Sequence, residues 1–121
     1  MAEGWGPTAA NHALDTELAI YTWVKLHVGA PGAAGTSNPA TETTRKQATW
    51  AAASGGASTT TAQLQWTTVA GTEDYTHFTV WTASTAGTFG FSGTVTANAV
   101  TAGDTFTIAT GDLDVSVTLA S

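Results

Sequence analysis

The sequence predicts an all-β domain: an antiparallel β-sandwich or jelly-roll-like fold preceded by a short N-terminal helix. Three observations carry that prediction. Apolar and polar residues alternate at period two in one short segment after another. Glycine-containing turns separate those segments. Past residue 20 no stretch has the periodicity of the crossover helices that a parallel sheet needs. The 121 residues are one domain's worth. They divide into an N-terminal arm with a short helix, residues 1–19, and a single β-sandwich domain, residues 20–121.

The helix is expected over residues 8–19. Pro7 and Thr8 suit a helix start. Ala10, Leu14 and Leu18 stand four apart with Ala13 beside them, a narrow apolar stripe. Three turns with so thin a stripe are marginal alone. The helix is therefore expected to lie on the sandwich or to dock on a neighbouring subunit.

The first strand runs through residues 20–28. Ile20, Val24, Leu26 and Val28 fall on one face, and Tyr21, Trp23, Lys25 and His27 on the other. Residues 29–44 form a long polar loop without periodicity, of the kind that is functional or mobile. Arg45 and Lys46 follow it and are two of only three basic residues. A second strand is expected with Ala48, Trp50 and Ala52 on one face. A third, residues 60–68, turns Ala62, Leu64 and Trp66 inward. Glu73 and Asp74 read as a turn. Residues 76–82 place Phe78 and Val80 on one face and His77, Thr79 and Trp81 on the other. Phe89 and Phe91 alternate before Gly93, and the register from 89 to 100 stays open. Phe106 and Ile108 alternate with threonines. Leu113, Val115, Val117 and Leu119 alternate with Asp112, Asp114, Ser116 and Thr118, a half-buried strand with a wet face. Gly55, Gly71, Gly87 and Gly103 are spaced sixteen apart, the pitch of two strands with their turns.

Composition narrows the function. Net charge is −6 with three basic residues, too few to neutralise a run of phosphates, which argues against nucleic acid. An anionic membrane surface repels such a chain. No cysteine is present, so thiolate metal sites, disulfides and thiol nucleophiles are excluded. The N-terminus lacks the basic start and apolar run of a signal peptide, so use without secretion by that route is expected. Charged residues are only 10% and mean hydropathy is +0.04. Uncharged β surfaces are sticky, which fits a subunit whose contacts cover them.

No catalytic, metal or cofactor site emerges. His12, His27 and His77 are far apart, and no Gly-x-Ser-x-Gly elbow, phosphate loop or His-Glu-x-x-His is present. His27 and His77 read as exposed or partner-facing. Asp112 and Asp114, with Asp104 nearby, read as a solvated face that guards an edge, in preference to a calcium site. Trp50 and Trp66 share faces with core residues. Trp5, Trp23 and Trp81 fall off the apolar faces, where exposed tryptophan commonly anchors a protein interface.

Several motifs resemble a family of small virion proteins from tailed phages of actinobacteria. They are Val24-Lys25-Leu26-His27-Val28-Gly29-Ala30-Pro31-Gly32 with Gly35, and Asn38-Pro39-Ala40-Thr41-Glu42-Thr43-Thr44-Arg45-Lys46. Ala51-Ala52-Ala53-Ser54-Gly55-Gly56, Tyr75-Thr76-His77 with Trp81-Thr82-Ala83, and the run from Val100 to Val115 add to them. Val28 stands where the family usually has threonine and Ala30 where it has aspartate. The resemblance implies a non-enzymatic structural protein of the virion, assembled in the bacterial cytoplasm. Its first expected role is a capsid decoration protein that cements the outside of the head. The alternative is a tail-fibre or minor tail protein that helps bind the host surface, and a small glycan hydrolase is a distant third. Implied partners are the major capsid protein or other virion subunits, and further copies of the chain, a trimer by analogy. The residues expected at the partner interface are Trp5, Trp23, Trp81, Pro31, Arg45 and Lys46.

Overall fold

The computed structural model describes residues 4–120. Helix α1 (Pro7–Leu18) is followed by β1 (Trp23–His27), β2 (Lys46–Gln47), β3 (Ala57–Thr59) and β4 (Leu64–Trp66). Then come β5 (Glu73–Trp81), β6 (Phe89–Val100), β7 (Phe106–Ile108) and β8 (Asp114–Ser116). The fold is all-β and its strand pairs are antiparallel. One sheet has the order β2-β1-β5-β6, and two ribbons, β3-β8 and β4-β7, complete the body.

Alternation decides which face each strand buries. Val24 and Leu26 stand opposite Val80 and Phe78 across β1 and β5. The β4-β7 ribbon brings Leu64, Trp66, Phe106 and Ile108 into the same core. Tyr75 meets the Phe106 ring edge-on at 4.9 Å, and Trp66 meets it at 5.9 Å, which ties the sheet to the ribbon through aromatic contact.

The helix packs on its own chain. Ala10, Leu14 and Leu18 are buried. Asn11 Oδ1 accepts the Gly56 N–H at 2.8 Å, and Asp15 Oδ1 accepts the Ala53 N–H at 2.8 Å. These two bonds clamp the turn before β3 to the helix. Pro7 opens the helix without a side-chain cap.

Four expectations about elements need correction, and the open register of residues 89–100 is fixed by pairing with β5. The first strand spans only residues 23–27, because Ile20 and Tyr21 direct their N–H groups to Glu17 at the helix end. Ile20 is 51% exposed as a result. Residues 48–52 form no strand. Ala48 bonds back to Thr22, whereas Ala51 and Thr49 bond to Thr59 and Thr61, so no ladder to one neighbour persists. Glu73 and Asp74 start β5, paired with Val100 and Ala99, and do not turn. Gly93 lies inside a twelve-residue β6, facing Phe78, where a Cβ would stand 2.8 Å from the ring. That glycine serves close approach and does not break the strand. The last strand shortens to residues 114–116, because Val117 bonds to Gly56 and Ala120 to Trp5.

Candidate functional site

The polar face of β1 and β5 is not left to solvent. Residues 28–45 return across it as a strap. Val28 N–H donates to the Asn38 carbonyl and Ala40 N–H to the Leu26 carbonyl, which fastens the strap along β1. Beneath it His27 and Thr79 are fully buried. His27 Nδ1 lies 2.9 Å from the Ser37 carbonyl, and Nε2 lies 2.9 Å from Thr79 Oγ1. Trp81 Nε1–H donates to the same Thr79 oxygen at 2.7 Å.

Donor and acceptor chemistry orders the protons in this relay once the ring is neutral, the form its burial favours. An indole N–H only donates, so the Thr79 oxygen accepts from Trp81. A carbonyl only accepts, so His27 carries its proton on Nδ1 and gives it to Ser37. Nε2 is then the free lone pair, and the Thr79 hydroxyl donates to it. Both ring nitrogens of His27 are engaged. Burial pushes its pKa below the usual value, the Ser37 and Asn38 backbone bonds oppose that, and the Lys25 and His77 charges reinforce it.

The far end of the strap is closed by Arg45. Its guanidinium lies 4.5 Å from the centre of the Trp81 ring. Nη1 donates to the Ala83 and Ala86 carbonyls at 2.8 and 2.7 Å, which pins the β5-β6 turn. Trp81 also meets the Phe89 ring at 5.4 Å. Gly35 sits over that ring at φ 72°, where a Cβ would be 2.5 Å from the ring.

Two carboxylates hold the strap's other margin. Glu73 accepts the N–H groups of Thr41 and Glu42 at 2.9 and 3.1 Å. Buried Glu42 accepts those of Ala70 and Thr44 at 3.1 and 3.2 Å. All four oxygens are spent on backbone donors. Among the described residues the buried Tyr75 hydroxyl has no hydrogen-bond partner in good geometry, with Glu73 the neighbouring carboxylate. Its pKa is pushed up to about 12, by burial first and then by the Glu73 and Glu42 charges.

These placements revise the expected interface. Trp81 is 8% exposed, because the strap and Arg45 cover the face that alternation assigned to solvent. Pro31 is likewise buried within the strap. Both are therefore covered by their own chain, and neither is left open on its surface. His27, expected at the surface, is buried for the same reason. Trp50, expected in the core, is half-buried beside it. Trp23, Arg45 and Lys46 gather at one end of the sheet and are half-buried, with Trp23 opposite both Trp81 and Gln47. Trp5 lies elsewhere, paired with Leu119, and is 50% exposed. Sequence reasoning puts Thr79 on the face of His77 and Trp81 but gives it no role. A threonine between Phe78 and Val80 reads as an ordinary polar-face residue until a loop is known to cover it.

Among the described residues no group of three or more His, Asp or Glu side chains is placed to hold a metal ion. An open groove of about 700 Å³ lies between β6 and β7, lined by Thr94, Thr96 and Thr107, by Val95, Phe106 and Ile108, and by Asp112.

The sequence model of the family described as Podophage GP4 fiber I protein gp80 matches residues 10–116. The chain belongs to this gp80 family. The match begins inside α1 and ends with β8, so the docked helix, the strap and both ribbons fall within the family's own extent. No curated protein matches the chain. Membership of the gp80 family makes this a phage structural protein of the virion.

Proposed function

We propose that the chain is a fibre subunit of a podophage-type virion, acting by contact with other virion subunits and without catalysis. The observation that carries this reading is the fibre-family match over almost the whole folded body. The site supports it. The buried His27 uses both ring nitrogens to hold a strap, and Glu42 and Glu73 use all their oxygens to hold backbone. The polar groups of the β1-β5 face therefore serve rigidity, as a load-carrying module requires. Exposed Trp5, Ile20 and Val28 offer apolar contact points.

The second reading is a decoration protein on the head. Low charge favours it, since a cement must lie flat against many neighbours. Antibody labelling of purified particles, with mass spectrometry of separated heads and tails, distinguishes the two. Label confined to the tail supports the fibre reading. Label spread over the capsid overturns it in favour of decoration. Release of sugar from host cell wall by purified protein would overturn the non-catalytic part.

A further inference from the structure

The two margins of the four-stranded sheet differ sharply. β2 closes one side with two residues, one of them Lys46, which is how soluble proteins guard an edge. On the other side β6 runs for twelve residues and, among the described residues, pairs only with β5. Residues 89–100 contain no charge and no proline. Elsewhere the chain carries a net charge of −6, so two identical copies repel over most of their surface. β6 is the long edge whose own side chains bring no like charges together.

Its side chains suit a self-pairing. Ser92 and Thr94 are exposed and stand on one face at period two. Phe89 and Phe91 are half-buried, and Phe91 packs against half-buried Tyr21 and Trp50 at 6.5 and 6.1 Å. A bare ladder is a thin interface. Covering these rings supplies the apolar contact it lacks.

We propose that β6 is a homodimerisation edge, on which a second copy of this chain adds its own β6 antiparallel about a two-fold axis near Gly93. Ser92 of one protomer then stands opposite the partner's Thr94, and the reverse. Small hydroxyl residues make favourable cross-strand pairs, and like charges there are unfavourable. The inference goes beyond the fibre reading and holds equally for a protein on the head.

Sedimentation velocity of the full chain across a concentration series tests it, with two double variants. The expected result is a wild-type dimer. Ser92→Lys with Thr94→Lys, and Ser92→Glu with Thr94→Glu, each weaken self-association by roughly tenfold or more. An equimolar mixture of the two restores the dimer, because opposite charges now face each other. A wild-type monomer at every concentration, a wild-type trimer, charged variants that dimerise as tightly as wild type, or a mixture that stays monomeric overturns the proposal. Hydrogen exchange on the wild type needs no variant to fold. Amides of residues 89–94 are expected to gain protection on concentration, and equal protection in dilute and concentrated protein overturns the proposal.

Discussion

A single hydroxyl, Thr79, holds two buried partners, and its removal defines the strongest residue-scale test. Thr79→Val keeps the shape and strands both Trp81 Nε1–H and His27 Nε2. Leaving two buried polar atoms unpaired costs about 2–4 kcal/mol in sum. Urea denaturation should show that loss, and a change under about 0.5 kcal/mol would refute the relay. Tyr75→Phe is the opposite case. It deletes a buried hydroxyl that has no hydrogen-bond partner in good geometry, so stability should hold or rise in the same assay. His27 adds a pH dependence with a definite sign. Its folded pKa lies below the ordinary 6.5, so below that pH the unfolded chain takes up a proton that the folded chain refuses. Stability therefore falls as pH drops from 6.5 toward the lowered value, and is fully present above 6.5. Denaturation midpoints from pH 7.5 to 5 should show this slope, and His27→Gln should flatten it.

At the scale of elements the strap and the helix behave as clamps on a β body. Gly35→Ala places a methyl group into the Phe89 ring at a positive φ, so the strap must lift. Faster amide exchange in residues 28–45, with β5 and β7 unaffected, is the expected readout. Leu14→Ala should cost about 2–4 kcal/mol, since Leu14 anchors the helix stripe against the body. These elements differ in how legible they were. The stripe of Ala10, Leu14 and Leu18 gave α1 to within a residue, and the alternation of Leu64-Gln65-Trp66 and Phe106-Thr107-Ile108 gave β4 and β7. Period two reports which side of a strand is apolar. It does not report whether a distant loop comes back to cover the polar side. That is why Trp81 and His27 were assigned to the surface. Nor does it separate a glycine that turns the chain from one that makes room for a ring, as Gly93 does for Phe78. The segment around Trp50 alternated as a strand does, but its small alanines bury little and its backbone divides its bonds between Thr22 and residues 59–61.

Across the whole molecule, the residues that hold the fold together differ from those left free on its surface. Both ends of the described chain meet at one place, where Trp5 N–H donates to the Thr118 carbonyl and Ala120 N–H to the Trp5 carbonyl. Only backbone groups make that closure, so the indole is not needed for it. Half of the Trp5 side chain stays in solvent, and an exposed tryptophan is an unfavourable surface feature unless something covers it. Trp23 and Trp81, by contrast, are engaged with the sheet, Arg45 and the strap. A tryptophan that the fold does not use is the one that attachment to the particle should use. Trp5→Ala is accordingly expected to leave the denaturation midpoint unchanged and to lower incorporation into particles at least ~10-fold, the effect of losing an interface hot spot. Complementation of a phage lacking the gene, with quantitative blotting of purified virions, reads this directly. Normal incorporation of a stable Trp5→Ala protein would move the attachment surface away from the N-terminal arm, to Ile20, Val28 or the β6 edge.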